Sequence, residues 1–127
     1  MPVDDTFTPP ESVARNARRS IERSREKPPS QRGMTPVGWR RRAQLANRQP
    51  VSIRTLRRSL GYLSRHLVDK DGATWDGYGK GRQAWDGWGG DAMAQWAIRT
   101  LRRHDSQWFT QWATQPRNRR LMRHVGR

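Results

Sequence analysis

Ser52-Ile-Arg-Thr-Leu-Arg-Arg-Ser-Leu-Gly-Tyr-Leu-Ser-Arg-His66, followed by Leu67, is the stretch that decides the fold. Ile53, Leu56, Leu60, Leu63 and Leu67 recur at alternating intervals of three and four, the period of one buried helix face. Ser52 stands where an N-cap hydroxyl is wanted, so the spacing predicts a helix over Ile53–His66. Arg54, Arg57, Arg58 and Arg65 ride its outer surface. Upstream, Thr35-Pro36 reads as an N-cap followed by proline at the first helical position. That helix is expected to run to about Arg48, with Pro50 stopping it. Val37, Ala43 and Ala46 lie near one face, and Arg40-Arg41-Arg42 wrap the other. A connector of about four residues makes the two helices a hairpin or a steep crossing.

Downstream, Asp69-Lys-Asp-Gly-Ala-Thr-Trp-Asp-Gly-Tyr-Gly-Lys-Gly81 reads as a glycine-rich loop. A short helix from Arg82 to Trp88 is expected to end at Gly89-Gly90. Asp91 then reads as the N-cap of a last helix through Met93, Trp96, Ala97 and Leu101 to about His104. Trp108 and Trp112 continue its spacing as far as Ala113. No strand pattern and no internal repeat stands out. The expected fold class is all-α, a small compact bundle of three to four short helices with an extended N-terminal arm and a basic C-terminal tail.

The expected arm is residues 1–34, with a helix at 11–27 between Pro9-Pro10 and Pro28-Pro29. Its apolar stripe, Val13, Ala17 and Ile21, is thin, so this helix is expected to need a partner and the arm to be flexible alone. The core is expected at 35–113. The tail, 114–127, carries Arg117, Arg119, Arg120 and Arg123 after Pro116.

Composition bounds the function. The chain has 127 residues, with 26 Lys plus Arg against 11 Asp plus Glu, a net charge of +15. Apolar residues are 32%, too few for a large core. The absence of cysteine excludes disulfides, thiolate metal sites and a cysteine nucleophile. No apolar run is long enough for a membrane span, and Met1-Pro2-Val3-Asp4-Asp5 does not resemble a secretory signal. A soluble, intracellular, strongly cationic protein is the expected class. Of the 26 basic residues 23 are Arg, whose planar fork suits phosphate or carboxylate.

The charge is unevenly placed. Residues 1–34 carry net +2, residues 35–68 eight Arg and no acid, residues 69–91 net −2, and residues 92–127 net +7. An evenly solvated surface would mix the signs. A cationic helical surface at 40–65 would neutralise several phosphates, and Ile53–His66 is the helix expected nearest nucleic acid. The candidate phosphate contacts are Arg40, Arg41, Arg42, Arg54, Arg57, Arg58, Arg65, Arg117, Arg119 and Arg120. The same composition also suits an acidic protein partner, because Arg favours both.

Six of the seven Trp fall between Trp75 and Trp112. At helical spacing beside Ala and Met they read first as core, with Trp75, in the loop, the best candidate for stacking on a base. Asp69-x-Asp71-Gly72 and Asp76 resemble the start of a calcium loop. The positions that should hold its glycine and bidentate Glu are Thr74 and Lys80, so no metal is expected. His66, His104 and His124 form no catalytic arrangement, and no P-loop spacing occurs. No enzyme activity and no cofactor are expected.

Four ordered blocks carry a family resemblance. They are Met34-Thr-Pro-Val-Gly-Trp-Arg-Arg-Arg-Ala-Gln-Leu-Ala-Asn-Arg48, Val51-Ser-Ile-Arg-Thr-Leu-Arg-Arg58, Arg65-His-Leu-Val-Asp-Lys-Asp-Gly72 and Arg82-Gln-Ala-Trp-Asp-Gly-Trp-Gly-Gly-Asp-Ala92. Together, over about residues 34–97, they resemble a small Arg- and Trp-rich helical domain that recurs in tailed-bacteriophage proteins. It occurs there alone or appended to larger proteins, some of them head-maturation proteins. The resemblance implies a phage origin and a compact helical fold rather than an activity. The chain departs from the pattern at Gly77-Tyr78-Gly79-Lys80, a shorter loop, and its arm and tail lie outside it. In that setting the leading expectation is a basic protein binding nucleic acid, DNA first, in the host cytoplasm or the virion. The alternative is a structural virion protein, a head, cement or connector component, whose arm and tail grip acidic neighbouring subunits in an oligomeric assembly. A regulator of a host nucleic-acid enzyme stands below both.

Overall fold

The two hydroxyls expected to start helices do so. Thr35 Oγ1 accepts from Gly38 N at 3.2 Å, and Ser52 Oγ accepts from Thr55 N at 3.1 Å. The computed structural model describes residues 5–126. In chain order its elements are β1 (Thr6–Phe7), α1 (Glu11–Arg25), α2 (Pro36–Ala46), β2 (Val51–Ser52), α3 (Ile53–His66), α4 (Lys80–Gly87), α5 (Gly90–His104), α6 (Ser106–Ala113) and α7 (Pro116–Val125). Short 3-10 turns occupy Pro29–Gln31 and Leu67–Asp71. The fold is predominantly helical.

Helix α5 is the centre, packed against α1, α3, α4, α6 and α7. Its Met93, Ala94, Ala97 and Leu101 are buried, as are Leu56, Leu60 and Leu63 of α3. Trp85, Trp88, Trp96 and Trp112 close the core, consistent with their helical spacing. So little aliphatic material suffices because each buried indole removes a large apolar area from water.

Several expectations are corrected. Three to four helices become seven α-helices among the described residues, and the division into arm, core and tail does not describe the packing. Helix α1 lies against α2, α4 and α5 with Val13, Ala14 and Ala17 fully buried. Its stripe is thicker than its apolar residues suggest because Ser20 and Ser24 are buried too, and their hydroxyls find partners. Ser20 Oγ donates to Gln83 O at 2.7 Å, and Ser24 Oγ donates to Gln83 Oε1 at 2.9 Å. The fully buried Gln83 also accepts from Gly33 N and donates to Gln31 O and Tyr78 O. One side chain thereby ties α1, the 31–33 connector, the glycine-rich loop and α4 together.

The expected tail is equally part of the core. Helix α7 buries Leu121 and Val125, and Ser64 Oγ donates to the buried Asn118 Oδ1 at 2.6 Å, locking α7 to α3. The last long helix breaks at Asp105 (φ −148, ψ 50), so Trp108 and Trp112 belong to a separate α6. Asp91 is not a cap. Gly89 occupies that position at φ 99, and a Cβ there would sit 2.5 Å from Met93 Cβ, so only glycine makes this turn without strain. A two-residue antiparallel ribbon, Thr6 opposite Ser52 and Phe7 opposite Val51, also forms. It is too short for an alternating pattern to register.

Candidate nucleic-acid interface

The outer face of α3 carries the first set of predicted residues. Helical periodicity sets Arg54, Arg58 and Arg65 within about 40° of one another. All three are exposed. Gly61 lies in the same stripe, and a Cβ there would stand 3.3 Å from Arg65 Nη1. The missing side chain lets the Arg65 guanidinium lie back along the helix surface. Arg57 turns aside from the stripe. Its Nη2 and Nε reach Asp105 Oδ2 at 2.6 and 2.7 Å, and its guanidinium sits 5.2 Å from the Trp108 ring centroid. It ties α3 to the α5–α6 corner.

The triplet on α2 divides three ways. Arg40 is exposed. Arg41 is half-buried, donates to Gln44 Oε1 and lies 5.9 Å from the Trp88 ring centroid, with its Nε unpartnered among the described residues. Burial, then the nearby Arg58 and Arg40, hold its pKa below the ordinary arginine value. Arg42 points inward, where Nη1 donates to Ser20 Oγ at 3.0 Å and Ser24 Oγ at 3.1 Å. It is a structural tie rather than a phosphate contact.

The convergence lies between α3, the Leu67–Asp71 turn and α7. A groove of about 560 Å³ opens there, lined by Arg65, Lys70, Arg117, Arg120, Arg123 and His124. Asp71 is the one carboxylate on its lining, and Leu67 and Val68 supply an apolar rim. The Ser64–Asn118 bond fixes the two walls relative to each other. Asp91, in the first turn of α5, steadies the floor by accepting from Lys70 Nζ at 3.0 Å and pairing with His124 Nε2 at 3.3 Å. Three of the predicted residues, Arg65, Arg117 and Arg120, meet here. Arg119 is exposed on α7 but does not line the groove, and Arg40, Arg54 and Arg58 lie on the α2 and α3 surfaces.

Trp75 is half-buried and is not a free platform. It packs edge-on to Trp85 at 6.3 Å, with Lys70 Nζ 5.5 Å and the Arg82 guanidinium 5.6 Å from its centroid. The sequence reading passed over Trp39, which is 53% exposed, and Lys70, Arg123 and His124 in the groove. Ala43, expected on the inner face with Val37 and Ala46, is instead exposed, and a helical projection that placed it outward would have found Trp39 beside it and Arg40.

Among the described residues, no group of three or more His, Asp or Glu could hold a metal ion, and Asp69 pairs instead with His66 at 3.0 Å. No helix is long and apolar enough to cross a membrane. Comparison with protein-family models, with curated proteins and with solved structures returned no match.

Proposed function

We propose that the protein binds the phosphate backbone of nucleic acid, DNA in the first instance, in the groove between α3 and α7 and along the adjoining arginine stripe of α3. The phage resemblance supplies the setting, with DNA handled in the host cytoplasm or within the virion. The observation that carries the reading is the meeting of Arg65 with Arg117 and Arg120, residues from two cationic blocks far apart in the chain, in one groove holding a single carboxylate. Cations crowded in this way repel one another, and a polyanion relieves that repulsion while releasing its own condensed counterions. Nothing in this chemistry discriminates between bases, so the contact is to backbone rather than to sequence.

The test is a duplex DNA titration at several salt concentrations. Affinity is expected to fall steeply with log salt, and the triple variant R65A/R117A/R120A to reduce that slope by about two to three, near 0.9 per lost phosphate contact. An unchanged slope refutes the groove. A second reading, an acidic segment of a neighbouring virion subunit in the same groove, draws on Val68, which is 67% exposed at the rim and offers apolar contact that phosphate does not use. It requires the protein at fixed copy number in purified particles, measurable by mass spectrometry, and binding that V68S weakens.

A further inference from the structure

Sharing no lining residue with the groove between α3 and α7, a second cleft of about 240 Å³ lies between α1 and α2 beside the exposed Trp39. Ile21 gives it an apolar patch, and Arg25, Arg32 and Arg42 supply the charge. Among the described residues, no carboxylate lines it. The partners of Arg32 and Arg42 are neutral oxygens, the carbonyls of Ser24, Arg25 and Lys27 for one and Ser20 and Ser24 for the other. Hydrogen bonds to neutral oxygens hold these guanidinium groups in place without cancelling their charge. Trp39 is itself oriented, with Nε1 donating to Gly33 O at 3.3 Å. Four of the other indoles are buried and the remaining two, Trp75 and Trp108, half-buried, so this is the one Trp more than half exposed among the described residues.

An oriented, exposed indole beside uncompensated arginines has the two parts a nucleotide needs. One is a π-face for the base, and the other is guanidinium for its phosphate. We propose that Trp39 is a stacking platform for an unpaired base, with the exposed Arg25 and Arg32 of the adjoining cleft holding the phosphate. Duplex DNA cannot use the platform, because its bases are already stacked. The protein would therefore hold single strands by a contact that double strands lack. This inference rests on the nucleic-acid reading above. Nucleic acid rather than protein is the occupant because the exposed indole offers a base its π-face beside guanidinium groups that suit its phosphate.

Fluorescence anisotropy with a labelled oligothymidylate and a labelled mixed-sequence duplex tests it, using the wild type, W39A, W39F and R117A/R120A. W39A is expected to weaken oligothymidylate binding about five-fold or more, the loss of one stacked base, and to leave duplex binding unchanged. W39F keeps a ring but loses the bond to Gly33, so it should stay within about two-fold of wild type if the ring face is what matters. R117A/R120A should weaken both ligands. Thermal melts of each variant check that the fold persists. Wild-type affinity of W39A for oligothymidylate overturns the proposal, as does equal loss on both DNAs or a W39F loss as deep as that of W39A. If W39A alters self-association by sedimentation while oligothymidylate binding holds, the surface is a protein contact and the proposal fails. In each of these outcomes the groove reading survives if R117A/R120A still weakens the duplex. A wild-type protein that binds neither DNA removes both.

Discussion

Arg42 and Arg65 sit on consecutive long helices and end in opposite roles. Arg42 belongs to a seam between α1, α2 and α4, where charged and polar side chains are directed inward onto Ser20, Ser24 and backbone carbonyls. Arg65 belongs to a groove whose other cations come from the Leu67–Asp71 turn and α7 and face outward. The seam uses arginine as a many-pronged donor that closes a fold short of apolar residues. The groove keeps its arginines apart from carboxylates, Asp71 excepted. A count of basic residues cannot separate the two uses. What separates them is whether a neutral oxygen from another helix lies within reach.

The comparison breaks first at Gln83, if it breaks. Fully buried, this residue bonds Ser24, Gly33, Gln31 and Tyr78. Q83A leaves several buried groups without partners and is expected to cost about 3–5 kcal/mol in urea unfolding. R117A/R120A, on the groove, should stay within about 0.5 kcal/mol of wild type, since exposed arginines contribute little to stability. Equal losses in the two variants would show that groove and seam are not distinct.

The same contrast explains which parts could be read from the chain. Helix α3 was legible to the residue because a hydroxyl cap and five aliphatic positions at helical spacing agree locally. Helix α1 was not, because three of its five buried residues are Ala14, Ser20 and Ser24. The burial of the two serines depends on Gln83, which is 63 residues from Ser20 and 59 from Ser24. Helix α7 read as a tail for a similar reason. Its arginines outnumber its buried Leu121 and Val125, and Asn118 gives no hint in sequence of its bond to Ser64. The groove's arginines were therefore identifiable by charge, whereas their convergence was not. Loop position makes Trp75 look exposed, whereas its edge-on contact with Trp85 leaves it half-buried.

Adjacent residues sharpen the contrast at smaller scale. Arg57 is bonded to Asp105 and stacked near Trp108, and Arg58 is exposed with Arg41 nearby. R57A should lower stability by about 1 kcal/mol, a partly exposed ion pair plus a cation–π contact, with duplex affinity unchanged. R58A should leave the melting temperature alone and lower the salt slope of duplex binding by about one. A reversal of these effects would exchange the roles assigned to the two residues.

The smallest effect concerns whether the seam side of the molecule is held by charge or by neutral bonds. Asp86 is buried on α4 and accepts from Tyr78 Oη at 2.7 Å. Burial raises its pKa above the ordinary 3.8, even though the Tyr78 bond and Arg82, Arg19 and Lys70 all pull it down. A carboxyl raised in the folded state supports folding fully while it is protonated, below its unfolded pKa. That support is lost as pH rises through the raised value. D86N never ionises and keeps an acceptor for Tyr78. The stability of the wild type relative to D86N is therefore expected to decline as pH rises from about 4, then level off above the folded pKa. Urea unfolding of both proteins across that range measures the difference. A difference that instead grows with pH would mean that Arg82, Arg19 and Lys70 outweigh desolvation, and that the buried Asp86 acts as an ion-pair anchor after all.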